Sequence, residues 1–294
     1  MYRLSDRFFT LTLWAGGLTG LITVFLILCF LVLESIPALD TIGVFRFFND
    51  PAWYPLENEF NLLPMLIGSA FITIGAVLLS LPLALGSAVY IVFFLKPQLH
   101  TSTLRLLEVL GGIPSVIFGL WGMVTVVPQI AKIDGPGTSL LAGSIVVTMM
   151  ILPALILMFA FILKRNTNTY YLQGISVGLA KEKIIFRIII PSATNSLGGA
   201  LILQTTRAIG ETMAVLMVCG NITQIPDSVF DPVRTLTSNT ALEMAYAMGD
   251  HRSSLFFGGL LLTIVVAFLL IFLKIFSTED KFIKRTSSAE ICEA

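Results

Sequence analysis

The feature that most constrains this chain is a series of apolar runs, several of them longer than the roughly 20 residues that a helix needs to cross a bilayer. A soluble core has no use for so many runs of this length. Of the 294 residues, 56% are hydrophobic and only 12% are charged, against about 25% charged residues in a typical soluble domain. This composition excludes a disordered chain, a secreted disulfide scaffold and a basic partner of nucleic acid.

Six of these runs are predicted to be membrane spans. Because unpaired backbone groups are too costly in lipid, the predicted fold class is an all-α membrane protein, a bundle of six transmembrane helices. The third run is interrupted by Gly111, Gly112 and Pro114, which indicate close helix packing and a kink, or a wall of a pore. The runs cover about residues 8–33, 62–95, 109–130, 139–163, 196–220 and 255–275.

The basic residues outside the spans are divided unequally between the two sides of the predicted bundle. One side has thirteen Lys and Arg residues and the other has four. Since cytoplasmic loops have the excess of Lys and Arg, both termini are predicted to be cytoplasmic. The first set is Arg3, Arg7, Lys96, Arg105, Lys164, Arg165, Lys181, Lys183, Arg187, Lys274, Lys281, Lys284 and Arg285, and the second is Arg46, Lys132, Arg234 and Arg252.

Arg207 and Glu211 are the only pair of opposite charges well inside a predicted span. Each such charge costs about 2.5–3.5 kcal/mol on insertion scales. Their i, i+4 spacing predicts an ion pair on one face of the fifth helix, with Thr206 and Thr212 beside it. The pair has two interpretations, a structural lock or a polar pathway. The second is favoured, and an arginine fork suits an oxyanion.

The segment between the fourth and fifth spans, residues 164–195, is predicted to be a long amphipathic cytoplasmic loop. Apolar residues alternate with Lys181, Glu182, Lys183 and Arg187. Such a segment lies on a lipid surface or docks into a groove of a cytoplasmic partner.

No motif for enzyme chemistry is visible in the sequence. The chain contains no G-x-x-x-x-G-K-[ST] loop for nucleotide phosphates, no H-E-x-x-H and no G-x-S-x-G. His100 and His251 are predicted to lie on opposite sides of the membrane. We therefore expect a transport subunit, not an enzyme, with no metal or cofactor.

Several motifs resemble those of the permeases of binding-protein-dependent ABC importers. Gly178, Ile188 and Pro191 match the spacing of their cytoplasmic signature, whereas its Glu-Ala-Ala triplet is replaced by residues 172–174, Leu-Gln-Gly. The phosphate-specific members have blocks similar to three parts of this chain. These are residues 112–122, GIPSVIFGLWG, residues 207–215, RAIGETMAV, and the last outer loop, with 235–239, 243–245 and 249–253.

This resemblance implies a six-helix, type I permease of an ATP-driven importer of inorganic phosphate in the inner membrane. Its implied partners are a homologous A-type permease, two copies of a cytoplasmic ATPase and a periplasmic phosphate-binding protein. The resemblance places Gly178 in a tight turn against the ATPase, which Lys181, Ile188 and Pro191 would also contact. Arg207, Glu211, Thr206 and Thr212 would line the substrate pathway. The alternatives are a permease for another oxyanion, such as molybdate or sulfate, and a self-contained secondary transporter.

The domain organisation predicted from these observations has four parts. Residues 1–33 form the N-terminal tail and first span, and residues 34–61 form a periplasmic loop. Residues 62–280 form the permease core, with the coupling loop at 164–195, and residues 281–294 form a cytoplasmic tail.

Overall fold

The computed structural model describes the backbone of residues 2–292 and the side chains of residues 9–167 and 170–272. The predicted cytoplasmic tail at 281–294 therefore lies outside the residues with described side chains. The described chain is mostly helical and contains one short antiparallel hairpin. In order, its elements are α1 (Tyr2–Thr41), α2 (Arg46–Asn49), β1 (Trp53–Tyr54), β2 (Glu59–Phe60), α3 (Leu63–Phe93), α4 (Pro97–Gly111), α5 (Ser115–Ile130), α6 (Leu140–Ser176), α7 (Lys181–Ile184), α8 (Ile190–Ile209), α9 (Met213–Val218), α10 (Leu236–Glu243) and α11 (Gly249–Cys292).

The all-α membrane fold predicted from the sequence is confirmed. Within the side chains that the structure describes, five helical segments are long and apolar enough to cross a membrane, or six if α4 and α5 count as one bent span. The five are Phe9–Thr41, Leu63–Phe93, Leu140–Thr167, Lys181–Ile209 and Gly249–Phe272.

The prediction of a continuous fifth span at residues 196–220 is wrong. The helical segment begins earlier, at Lys181, and α8 ends at Ile209. A three-residue break then separates it from the short helix α9. The break contains Gly210, Glu211 and Thr212, but apolar residues stand on both sides of it, so the hydropathy of the whole run did not predict it.

The amphipathic segment at residues 164–195, predicted to be a cytoplasmic loop, is helical over most of its length. Helix α6 continues to Ser176, and the next helical segment begins at Lys181 after a tight turn. Polar residues from Lys164 onward mark the end of the membrane-spanning part of α6, not the end of the helix. Pro191 lies in the first turn of α8, directly after a π-helical turn at Ile185–Ile189.

The predicted interruption of the third span is confirmed as a sharp bend. Helices α4 and α5 meet at 88° at a break of three residues. Gly112 ends α4 and Pro114 is the N-cap of α5, since proline cannot continue the preceding hydrogen-bond ladder.

Residues Leu63–Asn239 belong to one compact unit, which is built around helices α3 and α6. These helices approach closely at Gly75, where a Cβ atom would lie 2.5 Å from Ser144 Oγ. Thr148 on α6 donates a hydrogen bond to the carbonyl of Ala76 on α3, over 3.3 Å. Small residues and interhelical hydroxyl bonds are the usual means of holding membrane helices together.

A second unit consists of the chain up to Leu62 together with Thr240–Thr263. The predicted periplasmic loop begins later than expected, because α1 runs to Thr41. The loop contains α2 and the antiparallel hairpin, in which Trp53 pairs with Phe60. Phe47 and Phe60 are fully buried, and the ring of Phe47 lies 4.5 Å from that of Phe257 on α11.

Candidate functional site

The break between α8 and α9 is the first candidate site. It contains Gly210, Glu211 and Thr212, so Arg207 and Glu211 do not lie on one continuous helix face as predicted. Glu211 binds across the break instead. Its Oε1 accepts a hydrogen bond from the N–H of Ala214 in the first turn of α9, over 3.1 Å.

Arg207 is exposed and lies in the last turn of α8. In the part of the chain with described side chains, Arg207 has no acidic residue within ion-pair distance, so the predicted pair with Glu211 is not formed. A helix C-terminus favours a cation and a helix N-terminus favours an anion. The break therefore supplies each charge with its own helix end, and the two charges do not need each other.

The predicted threonines flank these charges without facing one another. The hydroxyl of Thr206 donates to the carbonyl of Leu203 over 2.8 Å, and that of Thr212 donates to the carbonyl of Gly210 over 3.4 Å. Both are partly buried. Of the four predicted pathway residues, Thr206 and Arg207 thus lie in α8, and Glu211 and Thr212 lie in the break.

The break is held by two contacts that sequence analysis missed. Thr237 at the start of α10 donates its hydroxyl to the carbonyl of Glu211, over 2.8 Å. On α5, Gly119 allows close approach, since a Cβ atom there would lie 2.8 Å from the Cα of Ala214 on α9. Both residues lie in motif blocks of the resemblance. That resemblance was the sequence signal that could have identified them.

Helix α8 is the most polar of the candidate spans. Its segment has a mean hydropathy of 1.3, whereas the other four lie between 2.2 and 2.9. Its exposed side carries Asn195, Ser196 and Arg207. A face of this kind suits a water-filled pathway or a second protein, because lipid would leave these groups unsatisfied.

The turn between α6 and α7, residues 175–180, is the second candidate site, and we call it the cytoplasmic turn after its predicted location. All six residues are exposed, and Gly178 has a φ of +79°. Its N–H donates to the carbonyl of Ile175 over 2.8 Å, and the N–H of Leu179 donates to that of Gly174 over 3.1 Å. This is how a left-handed glycine ends a helix. The turn expected at Gly178 is therefore present.

The helices after the turn, α7 and α8, pack neither on a lipid surface nor in a partner's groove, the two predicted alternatives. Ile184, Ile185 and Ile189 are fully buried against α3 and α6, so the apolar face of this segment lies inside the chain's own core. Gly174 makes this possible, since a Cβ atom there would lie 2.7 Å from Ile184 Cγ1. Gly174 stands where the family's triplet has its second alanine. The large side chain of Ile184 explains this replacement, because it occupies the space of an alanine methyl group.

The four predicted coupling residues are not equally available to a partner. Gly178 and Pro191 are exposed, and Ile188 is partly buried. Lys181 is tied to the end of α3, where its Nζ donates to the carbonyl of Phe93 and lies 4.6 Å from the ring centroid of Phe94. Its position indicates that it anchors the turn.

A third cluster lies at the hairpin and was not predicted as a site. Glu243 is 7% exposed, and its Oε2 accepts a hydrogen bond from Trp53 Nε1 and contacts His251 Nε2, both over 2.8 Å. Glu243 and His251 border a cavity of about 530 Å³ that is also lined by Tyr246 and Asp250. Glu243 and His251 fall in the motif blocks of the resemblance.

Comparison with known proteins shows that the sequence is similar to those of transporter permeases. The chain is 32% identical over 234 residues to the probable ABC transporter permease protein YqgH of Bacillus subtilis, a match that covers 78% of this chain and 75% of the relative. It is 29% identical to the phosphate transport system permease protein PstC of Mesorhizobium japonicum, with 92% and 89% covered. For PstC of Haemophilus influenzae the identity is 25%, with 94% and 96% covered.

The fold matches that of a solved transporter. A chain of the MetNI methionine ABC transporter in an inward-facing conformation superimposes with a TM-score of 0.54 at 16% identity, covering 74% of this chain and 93% of that one. No family model matches the sequence.

Proposed function

The chain belongs to the permease family of ABC transporters, and we propose that it forms half of the translocation pathway of an ATP-driven importer of inorganic phosphate. The observation that carries this proposal is the match to phosphate transport permeases over nearly the whole chain. Membership of this family excludes the alternative of a self-contained secondary transporter. The relatives are transport subunits, so ATP hydrolysis is assigned to a partner.

Within this proposal, phosphate passes the exposed side of α8 near Arg207. The guanidinium group has no acidic partner among the side chains that the structure describes, and its donors are free for an oxyanion. Thr206 and Thr212 lie next to it in sequence and offer hydroxyl groups. Glu211 has a structural role here, because its carboxylate holds the start of α9.

The polar side of α8 calls for a second permease subunit. If Arg207 faced lipid, it would cost about 2.5–3.5 kcal/mol on insertion scales. A homologous A-type permease that faces this helix would enclose the pathway and remove that cost.

The remaining partners are assigned to the two ends of the molecule. The exposed cytoplasmic turn around Gly178 is the proposed contact with the ATPase dimer, with Ile188 and Pro191 supporting it and Lys181 anchoring it. The hairpin side is assigned to the periplasmic phosphate-binding protein. The excess of basic residues supports cytoplasmic termini in a multi-pass subunit of the inner membrane.

The substrate is tested by ATP hydrolysis of the complete transporter in liposomes. We expect stimulation by binding protein loaded with phosphate, and none by the same protein without ligand. Equal stimulation by a sulfate-binding or molybdate-binding protein, together with uptake of that anion, would contradict the choice of phosphate. A transporter assembled without this chain is the control for background ATPase activity.

A further inference from the structure

A second cavity lies where the end of α3 meets α4 and α6. Its volume is about 280 Å³, just below the range of about 300–1,000 Å³ that is usual for small-molecule sites. Its wall is mainly apolar, with Leu104 from α4 and Leu157, Ala160 and Phe161 from α6. Phe161 is 71% exposed, so the cavity opens to the outside of the chain.

The cavity lies at the level where hydrocarbon gives way to lipid headgroups. Helix α6 is apolar up to Leu163 and then continues with Lys164 and Arg165. Helix α4 meets the spanning helix α5 at 88° and is amphipathic, which is the arrangement of a helix lying in the plane of the interface. A lipid molecule is therefore the ligand that has access to this cavity from the membrane.

Two opposite charges border the same cavity without pairing. Glu108 on α4 and Lys164 on α6 both line it, together with His100. Among the side chains that the structure describes, neither Glu108 nor Lys164 has a hydrogen-bond or ion-pair partner. A ligand that carries both a cation and an anion would satisfy the two groups together.

We propose that this cavity binds a phospholipid with a primary ammonium in its headgroup, such as phosphatidylethanolamine. The acyl chain lies against Leu104, Leu157 and Ala160. The lipid phosphate binds Lys164, and the ammonium donates hydrogen bonds to the carboxylate of Glu108. Phosphatidylglycerol has no cation for Glu108, and the quaternary ammonium of phosphatidylcholine has no N–H to donate.

The test is native mass spectrometry of the purified transporter with the full-length chain. Phosphatidylethanolamine, phosphatidylglycerol and phosphatidylcholine with identical acyl chains are added at equal concentrations. We expect phosphatidylethanolamine to bind about tenfold better than the other two, as one charge-assisted hydrogen bond allows. Equal binding, or a preference for phosphatidylglycerol, would overturn the proposal.

Variants test the headgroup contacts and the acyl-chain contacts of the lipid separately. Glu108→Gln is expected to abolish the headgroup preference, and Lys164→Gln to weaken all three lipids. Ala160→Phe, which fills the apolar cavity, is expected to weaken them equally. Arg105→Gln and Arg165→Gln are matched controls, because they remove neighbouring charges that do not border the cavity. Glu108→Gln with an intact preference would overturn the proposal even if Ala160→Phe failed to fold.

Discussion

Arg207 and Glu211 each lie beside a helix end whose partial charge has the opposite sign. Arg207 is in the last turn of α8, and Glu211 accepts a hydrogen bond from the first turn of α9. A continuous helix would have left the two charges to neutralise each other across one turn. Because the helix is broken, Glu211 is committed to the backbone and Arg207 is left available.

The first prediction concerns Arg207. Replacing it with Gln should leave membrane insertion and assembly unchanged, because the side chain is exposed and forms no ion pair with a described residue. Phosphate uptake should fall at least about tenfold, the effect of losing hydrogen bonds to a charged group. The measurement is the initial rate of labelled phosphate uptake into proteoliposomes.

Arg207→Lys is the matched variant, since it retains the charge and loses the fork of donors. We expect it to retain part of the activity. Wild-type uptake by Arg207→Gln would show that the guanidinium group is not needed for passage of the anion.

The second prediction concerns Gly174 and Ile184. Gly174→Ala should lower the stability of the cytoplasmic turn by about 1–3 kcal/mol, because the added methyl group overlaps Ile184. Ile184→Ala removes the overlapping atoms, so the double variant should be more stable than the sum of the single changes predicts. Thermal unfolding of the detergent-purified protein measures this coupling. Strict additivity would show that the two residues do not compete for space.

At the scale of elements, the sequence indicated those features that have a local physical cause. The length of the apolar runs is fixed by bilayer thickness, and the bend between α4 and α5 follows from Gly111, Gly112 and Pro114. The end of α8 at Ile209 has a weaker local signal, Gly210 as the C-cap, and no proline marks it. The break also depends on distant contacts, such as the hydrogen bond from Thr237.

The sequence also predicted the cytoplasmic segment, residues 164–195, only in part, for a different reason. Its alternation of apolar and charged residues predicted amphipathic structure correctly. The pattern could not identify what covers the apolar face, because burial of Ile184 and Ile185 depends on packing against α3 and α6. The sequence therefore placed Gly178 correctly at a turn but did not predict the anchoring of Lys181 to α3.

The third prediction belongs to this cytoplasmic turn. Gly178→Val should reduce stimulation of ATP hydrolysis, because a β-branched residue is strained at a φ of +79°. No atom lies within 4 Å of an added Cβ, so the effect would arise from the backbone alone. Gly178→Asn should be better tolerated, since asparagine adopts left-handed conformations more readily. ATP hydrolysis by the reconstituted transporter is the measurement.

Gly198→Ala is the control for this series. It lies in the helical part of α8, also with no atom within 4 Å of an added Cβ. Equal activity of the Val and Asn variants at position 178 would contradict a role for the left-handed turn.

At the scale of the whole molecule, the distribution of charge sets the proposed orientation. Thirteen basic residues on one predicted side against four on the other favour a cytoplasmic location for the turn and a periplasmic one for the hairpin. Under the proposal, the ATPase binds at the turn and the binding protein at the hairpin.

The fourth prediction tests this orientation. Glu57 in the hairpin and Lys183 near the cytoplasmic turn are both exposed, so each can be replaced with Cys. A membrane-impermeant maleimide is added to cells whose cytoplasmic membrane is sealed. It should label position 57 and leave position 183 unlabelled. Lysis should make both accessible, which controls for reactivity. Labelling of position 183 before lysis would contradict the proposed topology.

Transport itself provides the most direct measurement. Proteoliposomes that contain the complete transporter, with ATP enclosed and loaded binding protein outside, should accumulate labelled phosphate. They should accumulate none when ATP or the binding protein is omitted, and an excess of sulfate or molybdate should not compete. Accumulation without ATP, or loss of phosphate uptake in the presence of sulfate or molybdate, would contradict a phosphate-specific ABC permease.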